Sequence, residues 1–265
     1  MKLKYIKWII PAILMVCSLI LACEKEKDIT APWNEAGADA DVARLRIVHA
    51  SPNFRNLTGV PDSLNIFANG QKINAARLTF GSAFPSISPN NYATLPPGSY
   101  DLKISVGGVV NTDSIPVATI RVNLLAKTNY SFIITDSVLR ATRDSSRIFV
   151  RDSFPEIRNG RIGLRFISAW TDTAVVFRGV DVWSTRRNNN LYSNVMPGTT
   201  TSFSTQPFID LSDTLIVRRA GTTTEIARLN NIVFANTRAY TIFLRGSSEL
   251  STGLKARTLT WYTNK

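Results

Sequence analysis

The sequence is poor in the residues on which most active sites are built. It holds a single histidine, His49, among 265 residues, so no imidazole remains once that one has been given a role. As a general base His49 would need a nucleophile and an orienting acid beside it, and no local pattern supplies them. Two cysteines, Cys17 and Cys23, exclude a disulfide-rich scaffold and a multi-cysteine metal cluster. There is no P-loop, no dinucleotide fingerprint, no His-Glu-x-x-His and no Asp-x-Asp-x-Asp calcium loop. These absences lead to the expectation of a non-enzyme with neither cofactor nor metal. A carboxylate hydrolase is the alternative, weakened because only six of the residues are Glu. Acids are scarce altogether: 19 against 31 Lys and Arg, for a net charge of +12. Helix-period patterning is also absent beyond Cys23.

What is present begins with an export signal. Lys2, Lys4 and Lys7 precede an uncharged stretch from Trp8 to Ala22, shorter than the roughly 20 residues a spanning helix needs. Ile20-Leu21-Ala22-Cys23 resembles the lipobox of bacterial lipoproteins, which implies cleavage before Cys23 and a diacylated thiol as the lipid anchor. Cys17 competes less well, because branched Val16 and bulky Met15 precede it. A non-lipidated signal or an uncleaved anchor is the other reading. Residues 1–22 are thus expected to be the signal and residues 23–40 a flexible acidic tether. Within the tether, Glu24-Lys25-Glu26-Lys27-Asp28 resembles the surface-export tag of lipoproteins of the Bacteroidetes; a plain solvated spacer is the alternative. An outer-membrane lipoprotein follows as the expectation, with cell-surface exposure if the tag operates. Loss of the signal lysines brings the charge from +12 to +9.

The remainder reads as all-β. Tyr100 to Val106 alternates apolar and polar and stops at Gly107-Gly108, the mark of a half-buried strand. Asn69-Gly70 and Pro96-Pro97-Gly98 supply turn chemistry. The order of strand signals then repeats. Leu164-Arg165-Phe166-Ile167 answers Leu45-Arg46-Ile47-Val48, and Val180 to Trp183 answers Leu64 to Phe67. Thr214 to Val217 answers Asp101 to Ile104, Ala239 to Phe243 answers Asn129 to Ile133, and Arg257 to Trp261 answers Arg147 to Val150. Repeats of this size suit two tandem immunoglobulin-like β-sandwich domains, residues 41–153 and 154–265, the second a divergent copy of the first.

Three segments carry a family resemblance. Arg46-Ile47-Val48-His49-Ala50-Ser51-Pro52, Leu64 to Gly70, and Leu95-Pro96-Pro97-Gly98-Ser99-Tyr100 are similar to motifs of the bacterial family called domain of unknown function 4397. The second half keeps the strand order but has Ser168-Ala169-Trp170 where the first has His49-Ala50-Ser51. The resemblance implies β-sandwich modules on exported proteins and assigns no activity.

Several residues are candidates for function, each with a plainer role beside it. Asp-Ser or Asp-Thr followed by an aliphatic or Ala recurs five times, which resembles the O-glycosylation motif of the Bacteroidetes at Ser63, Ser114, Ser137, Thr173 and Thr214. The same pairs also make side-chain turns before strands. Arg186-Arg187 and Arg218-Arg219 suit bidentate contact with phosphate or carboxylate, hence lipopolysaccharide or acidic polysaccharide; nucleic acid is not expected. Convergence of the four arginines on one face would favour that polyanion reading, and dispersal a structural one. Trp170, Trp183 and Trp261 could stack on sugars, although at least two are expected to fill the second core. His49 is expected to be structural, bonded to backbone at a strand end. The sequence thus leads to the expectation of a lipid-anchored envelope protein with a non-catalytic binding or structural role. Its partners are the membrane, through the lipid, and envelope glycans or proteins.

Overall fold

The computed structural model describes residues 41–54, 62–86, 92–106, 118–135, 147–170, 179–247 and 252–265. Signal, tether and Cys23 lie outside them, as do Ser114, Ser137 and Thr173. Ten strands come from the first half: β1 (Ala43–His49), β2 (Ser63–Ala68), β3 (Gln71–Lys72), β4 (Leu78–Thr79), β5 (Ala83–Phe84), β6 (Ala93–Leu95), β7 (Gly98–Val106), β8 (Ala118–Leu124), β9 (Asn129–Ile134) and β10 (Arg147–Arg151). Eight come from the second: β11 (Arg161–Ser168), β12 (Val180–Ser184), β13 (Asn189–Val195), β14 (Ser204–Pro207), β15 (Asp213–Arg219), β16 (Glu225–Ile232), β17 (Ala239–Arg245) and β18 (Thr258–Thr263). No described helix is long and apolar enough to cross a membrane.

Both halves pair their strands by one plan. In the first, β10-β9-β1-β5, with β6 also on β1, forms one sheet, and β3-β2-β7-β8, with β4 on β2, forms the other. In the second the sheets are β14-β11-β17-β18 and β13-β12-β15-β16. The first strand of each half runs parallel to a late one, Arg46 opposite Ser131 and Arg165 opposite Thr241. This order is not that of an immunoglobulin constant domain, in which the first two strands share a sheet. Here β1 and β2, like β11 and β12, lie in different sheets. Alternation identifies a strand and its faces but not the sheet it joins, which is why the immunoglobulin expectation went too far.

Apolar residues at period two build the cores. In the second half Ile162, Leu164, Phe166 and Trp170 meet Val180, Val182, Leu215, Val217 and Ile242. A tyrosine closes each sandwich at its base. Tyr130 Oη accepts from Leu125 N at 3.1 Å and Tyr240 Oη from Ala235 N at 2.7 Å, both five residues upstream. Each ring also meets an equivalent neighbour, Phe149 at 5.1 Å and Trp261 at 5.6 Å. This resembles the tyrosine corner of Greek-key sandwiches. Changing Tyr240 to Phe should cost about 1 kcal/mol, because Ala235 N–H loses its acceptor; urea unfolding followed by fluorescence would measure it.

Residues 35–265 form one unit, and a second face of β1 and β11 explains why. Val48, Ala50, Ile133 and Ile148 of the first half pack with Ile167, Ala169, Phe243 and Tyr262 of the second. Beside this apolar patch lies a buried polar network. Arg165 is 1% exposed and donates through Nη1 to Asp152 Oδ1 at 2.5 Å. Its Nε and Nη2 donate to Thr241 Oγ1 at 3.1 and 2.9 Å. Asp152 Oδ2 accepts from Ser131 Oγ and Tyr92 Oη, each at 2.7 Å. Asn264 Nδ2 donates to Tyr92 Oη at 2.8 Å, while Asn264 Oδ1 accepts from Thr241 Oγ1 at 2.6 Å. Arg46, the repeat-equivalent of Arg165, donates to Thr263 O at 2.9 Å and lies 4.6 and 4.5 Å from the Tyr92 and Tyr262 ring centroids. Burial disfavours charge on Arg165, yet Asp152 beside it holds the guanidinium above its ordinary range. Burial, then the Asp152 charge, push the Tyr92 phenol well above 10, so it stays a donor.

Candidate functional site

The outer face of sheet β13-β12-β15-β16 brings two of the sequence-predicted candidates, Trp183 and Arg218, together. Val180 and Val182 point into the core, so period two turns Asp181 and Trp183 outward. Register sets Asp181 opposite Arg218 and Trp183 opposite Ile216 on β15. On β16, Arg228 faces Ile216 and Glu225 faces Arg218. The Arg218 guanidinium lies 4.6 Å from the Trp183 ring centroid, a cation–π stack that fixes both side chains. Among the described residues the Arg218 guanidinium has no hydrogen-bond partner, so its in-plane N–H donors remain available.

The acids of this face are already engaged. Glu225 Oε1 and Oε2 accept from Arg228 Nε and Nη2 at 2.8 and 2.6 Å, and that pairing holds the Glu225 carboxyl below its usual range. Asp181 accepts from Asn194 N at 2.8 Å and Gly221 N at 3.0 Å, pinning a bulge of β12–β13 and the turn after β15. Among the described residues the face therefore carries two bases and two acids, Arg218 and Arg228 against Asp181 and Glu225, and their charges cancel. A half-buried indole, a stacked guanidinium with free donors and no net charge suit a neutral ligand rich in hydroxyls better than a polyanion. Each of these carboxylates is taken up by donors of the fold.

The two arginine pairs do not converge. Arg218 pairs with Asp181 near the start of β12, whereas Arg186 and Arg187 lie in the turn beyond its end, roughly 15 Å away at about 3.3 Å per residue. That turn is organised by Asp213, whose Oδ1 accepts from Arg186 N at 2.9 Å and Thr185 Oγ1 at 3.2 Å, and whose Oδ2 accepts from Ser184 Oγ. Arg186 Nη2 donates to Ser212 O at 3.2 Å and Arg187 Nη2 to Pro207 O at 2.6 Å. Burial lowers the Arg187 pKa. Arg219 leaves its strand on the face opposite to Arg218 and is half-buried.

The remaining candidates fall as follows. Ser63 is buried in β2, with 6% exposure, and Thr214 is half-buried in β15. The aspartates of the described Asp-Ser and Asp-Thr pairs do structural work: Asp213 in its turn, Asp152 between the halves, Asp62 in an ion pair. Trp170 is a core residue and Trp261 packs against that core. His49 is fully buried, but among the described residues neither ring nitrogen has a hydrogen-bond partner, contrary to the expected backbone bond. Its ring packs edge-on to Phe54 and Phe80, centroids 5.4 and 6.0 Å away. Asp62 Oδ1 approaches His49 Nε2 to 3.8 Å while Asp62 Oδ2 pairs with Lys255 Nζ at 2.9 Å. Burial outweighs the Asp62 charge and lowers the His49 pKa to about 4.

The family model described as "Domain of unknown function (DUF4397)" matches residues 43–177, from β1 past the end of β11. The chain belongs to the DUF4397 family. No curated protein matches it. Among solved structures it is similar to a family 26 carbohydrate-binding module from Eubacterium rectale in complex with maltoheptaose, at 12% identity and TM-score 0.22, over 84% of this chain and 97% of that one. It is also similar to a structure of family 41 carbohydrate-binding modules from streptococcal virulence factors, at 9% identity and TM-score 0.23, over 84% and 97%. Within the DUF4397 match the motif residues shape the fold. Asn69 and Gly70 take positive φ of 48° and 85°, and Asn69 Oδ1 accepts from Asp101 N at 2.9 Å. Tyr100 Oη donates to Pro96 O at 2.8 Å. Arg46 belongs to the network between the halves.

Sequence reasoning singled out Arg218 as half of a pair and Trp183 as one of three. It missed their partnership, together with Asp181, Glu225 and Arg228. The available signal was the alternation of Val180-Asp181-Val182-Trp183, which already sets Asp181 and Trp183 on the side away from the core.

Proposed function

We propose that this DUF4397 protein is a non-catalytic carbohydrate-binding lipoprotein of the bacterial envelope. Cys23 carries the lipid, residues 23–40 form the tether, and two sandwich modules, dividing near residue 154, present the binding face. Outer-membrane placement, with the modules at the cell surface, goes with that reading, and Thr214 is the glycosylation candidate of the described set with part of its side chain exposed. The observation that carries the binding role is the Trp183–Arg218 stack on a sheet face whose charges cancel. Vicinal hydroxyls can accept the in-plane guanidinium donors while a sugar ring covers the indole edge.

Affinity electrophoresis in gels containing a neutral glucan or an anionic polysaccharide tests this. Retardation is expected in the neutral gel. Trp183→Ala and Arg218→Ala should each weaken it at least tenfold, about 1.4 kcal/mol, with unchanged circular dichroism. Equal retardation of wild type and both variants would remove this face from consideration. Retardation confined to the anionic gel would favour polyanion binding.

A further inference from the structure

The base of the molecule carries a second surface. Contacts across the halves show that the starts of β1 and β11 lie at the same end: Arg46 Nη1 reaches Thr263 O at 2.9 Å, and Asn264, whose N–H donates to Ala239 O at 2.7 Å, bonds Tyr92. Val48, Ala50, Ile167 and Ala169 pack together toward the other end. The chain enters this base, where Lys127 N donates to Val42 O at 2.8 Å.

Three aliphatic side chains stand out here. Leu125 follows β8 and Val233 follows β16, with exposures of 51% and 56%; Leu211, just before β15, is 57% exposed. Exposed bases surround them: Lys127 beside Leu125, Arg161 and Arg238 at the starts of β11 and β17, and Arg186 in the adjoining turn. Arg161 is tied to the Val233 loop by Thr237 N to Arg161 O at 2.9 Å, and Arg238 O accepts from Gly163 N at 2.8 Å. Asp41 and Asp210 also lie at this end, and Glu156 is taken up by Arg158. Exposed aliphatic side chains and exposed bases at the same end suit the boundary between acyl chains and phosphate headgroups.

We infer that this base docks on an anionic, phosphate-bearing lipid surface, with Leu125, Leu211 and Val233 entering the headgroup layer and Lys127, Arg161, Arg186 and Arg238 meeting phosphate. The inference rests on the membrane-anchored reading above, because residues upstream of Asp41 lead from this end toward Cys23. Docking holds the modules upright and leaves the Trp183 face clear.

The test reconstitutes the full chain in vesicles of phosphatidylcholine alone and of phosphatidylcholine with phosphatidylglycerol, and follows amide hydrogen exchange. Anchoring through the N-terminal segment is common to both vesicles, so a difference reports the base. Exchange at residues 125–127 and 233–238 should slow at least threefold only in the anionic vesicles. The difference should vanish at high salt and in an Arg161→Gln, Arg186→Gln, Arg238→Gln variant. Equal exchange in both vesicles, or protection that survives that variant, overturns the inference. Neither outcome bears on retardation by the neutral glucan, so the two readings fail separately.

Discussion

Replacing Asp152 by Asn should lower the unfolding free energy by about 3–5 kcal/mol, the usual cost of removing one partner from a buried ion pair. Arg165 is 1% exposed and Asp152 is equally sealed on its side chain. With the carboxylate gone, Arg165 keeps its contacts to Thr241 and Ser131 but loses the opposing charge. Tyr92 and Ser131 lose the anionic acceptor as well. An Asp152→Asn, Arg165→Met double variant should recover part of the loss, since Met removes the stranded cation and fills similar volume. Urea unfolding of the three proteins measures both effects. A loss below 1 kcal/mol for Asp152→Asn would show that the network does not bind the halves together.

The second large effect is a dependence on pH carried by His49. Its pKa of 6.5 in an unfolded chain falls to about 4 in the fold, with burial the main cause. Above pH 6.5 neither state holds the proton. Between 6.5 and 4 the unfolded chain takes it up and the folded one does not, so stability falls on acidification across that window and levels off below it. The full change amounts to about 3 kcal/mol. His49→Leu removes the proton site and fits among Phe54 and Phe80. The difference in stability between wild type and His49→Leu should therefore shift by that amount between pH 7.5 and pH 4, with carboxylate contributions common to both. A difference that does not change with pH would mean that the imidazole is hydrated in the folded protein.

Much of the architecture was legible in the chain. The strands announced themselves by period two, and the repeat of Leu45-Arg46-Ile47-Val48 as Leu164-Arg165-Phe166-Ile167 pointed to two copies of one pattern. Arg46 and Arg165 are buried despite their charge, because the second face of each strand is covered by the other half. A cue was present: Ile47-Val48-His49-Ala50 and Phe166-Ile167-Ser168-Ala169 run without a charge, as strands covered on both faces do. Sheet membership was not legible, since it depends on crossovers that leave no local trace. The candidate site was half legible. Trp183 and Arg218 are 35 positions apart in sequence, and only the β12–β15 register brings them together. The Asp-Ser and Asp-Thr pairs show the converse, for their aspartates serve turns and interfaces that local sequence suggests only in part.

The central claim is that the outer face of β12 and β15 is a carbohydrate site, and amide hydrogen exchange of the chain titrated with a soluble neutral oligosaccharide tests it most directly. Slowed exchange at residues 181–183 and 216–218, lost in Trp183→Ala, is the predicted result. Protection confined to other surfaces, or none at saturating oligosaccharide, would contradict it.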